Sequence, residues 1–225
     1  VKEYPELLRI KSDHIEKRGD KRYVEVGWLR SFLKGRKRLI IEEKLDGSQM
    51  AIGWKNGSAY IQGRRSHISR FDARPEYNGV LEWVEARDAE LKPLRGYLVF
   101  GEWLKVRHHV AYESLPDWFI AFDVWDSRSK RFLPLRKKAY FLDELGIESA
   151  PVLHEGKVSI TLIDELAGSC APSRFSDEVM EGFLIKDYDR QDFLKCVIRD
   201  FEEEDSIWTS AERQVLNDCS PESTS

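Results

Sequence analysis

Apolar and polar positions follow two rhythms along this chain. Leu39-Ile40-Ile41 is an apolar run, Asp46-Gly47-Ser48 is turn chemistry, and Met50-Ala51-Ile52-Gly53-Trp54 resumes the apolar pattern, which predicts strand, turn, strand. Lys55-Asn56-Gly57-Ser58 carries the Asn-Gly signal of a tight hairpin, and residues 59–63 return as a strand. The pattern predicts a meander here, with Lys44 at one strand end. Val80, Leu81, Val84 and Leu91 fall near helical spacing and predict a helix over residues 77–91. Residues 97–103 and 118–125 read as strands, the second one buried. Residues 136–145 read as a helix ended by Gly146, residues 161–167 as a short helix, and 182–186 with 193–197 as a final strand pair. Strands dominate without a regular βαβ rhythm, so the expected class is an α+β fold of antiparallel sheets.

Composition supports a folded body. The chain has 225 residues, enough for one large domain or two small ones, and 41% of them are hydrophobic. The formal net charge of −4 argues mildly against a nucleic-acid binder, but net charge hides local patches. Basic residues gather at Arg36-Lys37-Arg38, at Arg64, Arg65, His67, Arg70 and Arg74, and at Arg136-Lys137-Lys138; the third group reads as a solvated face. Part of the acidic excess sits in the run Glu202, Glu203, Glu204, Asp205. Cys170, Cys196 and Cys219 are odd in number and lack CxxC spacing, which argues against a disulfide framework or a structural zinc site. No apolar run reaches membrane-span length and the first residues lack a signal-peptide core, so the expectation is a soluble intracellular protein, cytoplasmic or nuclear, with no membrane partner.

The sharpest candidate chemistry is Glu42-Glu43-Lys44-Leu45-Asp46-Gly47-Ser48. A lone Lys-x-Asp-Gly is a weak signal, and by itself reads as a surface lysine paired with acids. A lysine that attacks phosphorus must first lose its proton, which a desolvated site or a neighbouring cation favours. No Walker A or GxGxxG sequence is present, so a nucleotide would not sit in a P-loop or Rossmann turn. His108 and His109 are adjacent and lack a third ligand at zinc spacing; one is expected to pack structurally and the other to face nucleic acid. Asp117 and Asp123 read as structural acids.

EEKLDGS resembles the first motif of the covalent nucleotidyltransferase superfamily of RNA ligases, DNA ligases and mRNA capping enzymes. Further segments follow in that family's order: FGEWL with Glu102, WFIAFDVWD with Phe122, EGFLIK with Glu181 and Lys186, and FLKCVIR with Lys195; Arg64 matches the family's arginine. The stretch GEWLKVRHHVAYESLPDWFIAFDVWD is similar to ATP-dependent RNA ligases, and the likeness runs from about residue 41 to 199. One departure stands in the last motif, where Val197 replaces a second lysine and a basic residue returns only at Arg199.

The resemblance implies an antiparallel-sheet nucleotidyltransferase domain, the ATP-grasp-like adenylation domain of ligases, over residues 39–200. Residues 1–38 would pack on it, residues 201–225 would form a short segment with a disordered tail, and no OB domain is expected. It further implies ATP and Mg²⁺ (or Mn²⁺) as cofactors and RNA ends or a nicked duplex as partner. Lys44 would take up AMP as the catalytic nucleophile, with Lys195 and Lys186 as catalytic cations that also bind nucleotide. Glu43, Arg64, Glu102, Phe122 and Glu181 would bind nucleotide, Glu43 through its backbone and Phe122 by stacking on adenine, while Glu181 and Glu102 would serve the metal. A DNA nick ligase, a GTP-using guanylyltransferase and a nucleotide-binding module that has lost strand sealing are the alternatives.

Overall fold

The computed structural model describes residues 1–10, 23–69, 74–198 and 215–219. Arg70, Arg199, the acidic run at 202–205 and the final residues lie outside them. By its contacts the chain divides into two units: a first of Pro5–Leu45 and Ala150–Phe201, and a second of Val1–Tyr4, Asp46–Ser149 and the described part of Glu202–Ser225. The division falls inside the stretch 39–200 that the sequence groups together.

In the first unit, strands β1 (Leu8–Ile10), β2 (Tyr23–Val24), β3 (Leu39–Lys44), β10 (Val152–Gly156), β11 (Gly182–Asp187) and β12 (Asp192–Val197) form one sheet in the order β10-β3-β11-β12-β1-β2. β11 runs antiparallel to both β3 and β12, as the final strand pair predicts, whereas β1 lies parallel to β12 and to β2. Side chains alternate across a strand, so in-register partners share a face. One face of this sheet carries Leu39, Ile41, Phe183, Ile185, Leu194 and Cys196 into a buried cluster. Two helices cover it: α1 (Val26–Leu33) contributes Leu29 and Phe32, and α4 (Ile160–Gly168) contributes Ile163 and Ala167. The Ser159 hydroxyl caps α4 by accepting the Leu162 N–H at 3.0 Å, which fixes where that helix begins.

In the second unit, β4 (Ser48–Lys55), β5 (Ser58–Gly63), β6 (His67–Ile68), β7 (Tyr97–Trp103), β8 (Phe119–Asp126) and β9 (Arg131–Phe132) form the sheet β6-β5-β4-β7-β8-β9, antiparallel throughout. Its core face buries Met50, Ile52, Val99, Trp103, Phe119 and Val124 against α2 (Val80–Ala86) and α3 (Leu135–Asp143).

Two expectations are corrected. The predicted meander is not continuous: β3 pairs with β10 and β11, β4 pairs with β5 and β7, and Asp46-Gly47 is the passage from one unit's sheet into the other's. An apolar run followed by turn residues cannot say which strand the run will pair with. The helix expected over 77–91 shortens to α2, because Gly79 at φ +82° breaks the helix upstream and residues past Ala86 turn towards a short 3-10 helix at Lys92–Leu94.

Candidate active site

The sequence candidates divide between the units. Glu43, Lys44, Glu181, Lys186 and Lys195 belong to the first; Arg64, Glu102 and Phe122 belong to the second.

In the first unit, the sheet face opposite the buried cluster is charged. Lys44 lies opposite Gly182, and Glu42 opposite Leu184, which in turn lies opposite Lys195. Lys186 lies opposite Ile40, so Glu42, Lys44, Lys186 and Lys195 all stand on this one face. The Lys44 ammonium is ion-paired and hydrogen-bonded to the Glu181 carboxylate, with the lysine side chain 26% exposed. Glu181 is held just outside β11, where its carbonyl accepts the Ile198 N–H at 2.8 Å. Lys186 Nζ donates to Glu42 Oε2 at 2.7 Å, and both side chains are 0% exposed. Burying two charges is tolerated only when they meet each other, as these do. Gly182, facing Lys44 across the ladder, has no room for a side chain, since a Cβ there would run into the Cys196 carbonyl.

Glu43 points the other way. Its carboxylate accepts the Arg174 N–H at 3.0 Å, and its own N–H donates to the Pro151 carbonyl at 2.9 Å. Burial raises its pKa against the lowering effect of the Ser173 and Arg174 hydrogen bonds.

In the second unit the signature turn is anchored rather than loose. Asp46 Oδ2 accepts the N–H groups of His109 at 2.7 Å and Val110 at 2.9 Å, while the Asp46 N–H donates to the Tyr112 hydroxyl at 2.7 Å. Ser48 Oγ lies 3.1 Å from His108 Nε2, and both histidine rings bring Nδ1 within 4 Å of the Asp46 carboxylate. The adjacent histidines therefore converge on one acid rather than diverging. Gly47 packs so closely that a Cβ would sit 2.7 Å from the Trp103 carbonyl oxygen. Asn217 completes the arrangement: its side chain accepts the Tyr112 N–H at 3.0 Å and donates to the Leu104 carbonyl at 2.6 Å.

Glu102 pairs in register with Gln49, and Arg64 Nε donates to Gln49 Oε1 at 3.1 Å, so Gln49 links the two sequence candidates. Tyr77 donates its hydroxyl to the Gln49 carbonyl, and burial pushes its pKa up to about 12. Phe122 sits at a β-bulge. Phe100 pairs with Asp123 and Gly101 with Ala121, which leaves Phe122 as the extra residue of β8. The bulge turns its ring away from the core cluster to meet the Tyr4 ring at 5.0 Å, and the Tyr4 hydroxyl donates to Asp123 at 2.5 Å. Lys138 Nζ donates to the Phe122 carbonyl at 2.9 Å and is 1% exposed, which corrects the reading of this lysine as part of a solvated face. Asp117 is structural, accepting from the Trp83 indole and the Arg87 guanidinium.

Sequence reasoning missed Gln49, Asp46 as an anchor, Tyr4, Lys138 and Asn217. Asp46 was legible as part of Lys-x-Asp-Gly; Tyr4 and Asn217 depend on contacts across 119 and 105 residues, Gln49 on partners 15 and 28 residues away, and Lys138 on a bulge, none of which a local pattern carries.

Among the described residues no three His, Cys, Asp or Glu side chains gather as a metal cluster. Glu181 nonetheless fits a hard cation. Its carboxylate is partly exposed beside Lys44, and Mg²⁺ or Mn²⁺ retains most of its waters and takes only one or two carboxylates. No helix among the described residues is long and apolar enough to cross a membrane.

A strand-end lysine held by a carboxylate thus stands on the charged face of a mixed, largely antiparallel sheet, and the other unit's sheet is antiparallel throughout. The pattern of the RNA ligase family matches residues 37–198, and the chain belongs to that family. Among solved structures it is similar to a Naegleria gruberi RNA ligase. A lysine-to-alanine mutant of that protein with ATP and Mn has 19% identity and a TM-score of 0.62, covering 86% of this chain and 59% of that one. A lysine-to-methionine mutant with AMP and Mn matches at 18% identity and a TM-score of 0.58, covering 86% and 59%. The form with PPi matches at 17% identity and 0.55, again covering 86% and 59%. This likeness shows the fold, and the chain spans 59% of the length of these solved structures. No curated protein matches the sequence.

Proposed function

We propose that this chain is an ATP-dependent RNA ligase that captures AMP on Lys44 and joins a 5′-phosphate to a 3′-hydroxyl. The observation that carries the reading is the Lys44–Glu181 pair on a face that also bears Lys195 and the buried Lys186–Glu42 pair. The family membership and the likeness to a ligase solved with ATP and Mn support it.

Lys44 Nζ, once it has given up its proton, attacks the α-phosphorus of ATP. A P–N bond forms, the bond to the β-phosphate oxygen breaks, and pyrophosphate leaves. The 5′-phosphate of an RNA then displaces Lys44 from the AMP phosphorus. Finally the 3′-hydroxyl attacks the activated 5′-phosphate and AMP departs. Glu181, hydrogen-bonded to Nζ, orients the amine and is the nearest acceptor for its proton. Lys195 places a fixed cation on the same face, where it counters charge that builds up on the α-phosphate during attack. Lys186 keeps Glu42 neutralised and the strand end rigid. Arg64, steadied by Gln49, and Glu102 bind nucleotide polar groups, and Phe122 offers its ring to adenine. A divalent cation held by Glu181 would neutralise phosphate charge and favour the uncharged form of Lys44.

The test is incubation with α-labelled ATP and Mg²⁺ followed by a denaturing gel. Wild type retains label on the protein and Lys44→Ala retains none. A wild type that takes up no label, or a Lys44→Ala variant that labels fully, overturns the reading. Label from GTP rather than ATP would point to a guanylyltransferase, sealing of DNA but not RNA nicks to a DNA ligase, and label that never transfers to a strand to a module without sealing activity.

A further inference from the structure

The first unit carries an aromatic and basic surface that the chemistry above does not use. Trp28 on α1 is 44% exposed, and its ring stacks on that of Phe32 with centroids 5.5 Å apart and planes inclined by 22°. On the Phe32 ring also sits the Arg36 guanidinium, 3.9 Å from the centroid. Trp28, Ser31, Phe32, Arg36, Gln191 and Leu8 are among the residues lining an open groove of about 440 Å³. The exposed indole, backed by the Phe32 ring, is a surface on which a further ring can stack.

The groove lining itself holds Glu6, Asp192 and Arg36, but the chain segment that carries Phe32 and Arg36 is strongly basic. The segment Arg30-Ser31-Phe32-Leu33-Lys34-Gly35-Arg36-Lys37-Arg38 holds five basic residues and no acid, and Arg30, Lys34, Lys37 and Arg38 are exposed. Arg36 is fixed by ion pairs to Asp187 at 2.5 Å and Asp192 at 2.8 Å, one guanidinium shared between two carboxylates. The Arg36 side chain is only 8% exposed, and its Nε–H has no hydrogen-bond partner among the described residues.

We infer that this surface binds single-stranded RNA, with a base stacked on Trp28 and the flanking phosphates drawn to Lys34, Lys37 and Arg38. Aromatic platforms bordered by lysine and arginine bind single strands with little regard to sequence, because every base has a π-face. Arg38 leads directly into β3, whose sixth residue is Lys44. At about 3.3 Å per residue that is roughly 20 Å, so the contact falls several nucleotides from the phosphate that reacts. It therefore governs the grip on the strand, and AMP uptake, which needs no RNA, proceeds without it. The inference deepens the RNA ligase reading and rests on it for the class of nucleic acid.

The test measures fluorescence anisotropy of a 20-nucleotide fluorescein-labelled RNA with the full chain, alongside crosslinking of the same RNA carrying 5-iodouridine. Trp28→Ala is expected to weaken binding about tenfold. Trp28→Phe should stay within about threefold of wild type, and crosslinks should map to Val26–Leu33. AMP uptake from labelled ATP reports in parallel that each variant is folded and tests the ligase reading separately. If wild type takes up no label yet Trp28→Ala loses RNA, the ligase reading falls and the RNA surface stands. Unchanged RNA affinity in Trp28→Ala, or crosslinks confined to other segments, overturns the inference. So does a wild-type oligomer that Trp28→Ala dissociates in sedimentation velocity, which would assign the face to a second copy of the chain.

Discussion

At the scale of single residues, the charged face of the first unit depends on ions that neutralise each other. Glu42 and Lys186 are fully buried and 2.7 Å apart. Glu42→Gln leaves the Lys186 ammonium without its counter-charge and should cost about 3–5 kcal/mol, read from urea unfolding. Replacing both by apolar residues of similar size should recover most of that loss, because an isosteric apolar pair avoids the desolvation of two charges. Glu43 behaves differently. Its folded pKa is raised, chiefly by burial, so the fold favours the protonated carboxyl. Its contribution to stability is present below the unfolded value near 4.5 and is lost as pH rises through the folded value. Wild type should therefore lose stability relative to Glu43→Gln as pH rises above about 4.5, a trend that thermal melts of the two proteins across pH 4.5–7 would show. Equal slopes would mean that the carboxyl ionises as freely in the fold as in the unfolded chain.

At the scale of elements, the loop around residues 104–112 is held from far away. Asn217 supplies partners to the Tyr112 N–H and the Leu104 carbonyl, and Tyr112 in turn accepts from the Asp46 N–H. Asn217→Ala strands two buried backbone groups and should cost roughly 2–4 kcal/mol, with hydrogen exchange at Asp46 and Tyr112 rising more than in the rest of the second unit. The sequence placed Asn217 in a tail expected to be disordered, because nothing near it is periodic or apolar enough to announce packing. The strands fared better. β7 appears over the same residues as expected, and β8, β11 and β12 within one residue, because a buried strand must be apolar and a turn must be polar or glycine-rich. Pairing partners were legible only where two strands adjoin in sequence, as in β4–β5 and β11–β12. The candidate residues were legible as a set through their order along the chain. Lys44 with Glu181 is a contact over 137 residues, and no periodicity could have placed those two side chains together.

At the scale of the whole molecule, a formal charge of −4 says little about what the chain meets, because the charges are sorted. Five basic residues fall within nine positions before β3, and in the first unit Asp187, Glu181 and Glu42 are spent on Arg36, Lys44 and Lys186. The signature motif is likewise shared out: Lys44 ends a strand of one unit, and Asp46 and Gly47 are fastened into the other. Each unit keeps a core face for itself and, Glu43 apart, leaves most of its chemistry-bearing side chains on the opposite face.

The bulge in β8 is where the residues that fold the protein and those proposed to work in it meet. With Phe122 present, the strand is one residue longer than its ladder with β7 requires. Remove that residue and Ala121 runs straight into Asp123, with inward and outward positions alternating as before on either side of the join. Deletion of Phe122 therefore separates register from packing: the ladder can close, but a buried ring and the acceptor of the Lys138 ammonium are lost together. The deletion should cost about 3–5 kcal/mol, read as a fall in melting temperature, and should abolish retention of label from ATP; a variant that melts like wild type would show that the extra residue contributes nothing to the fold.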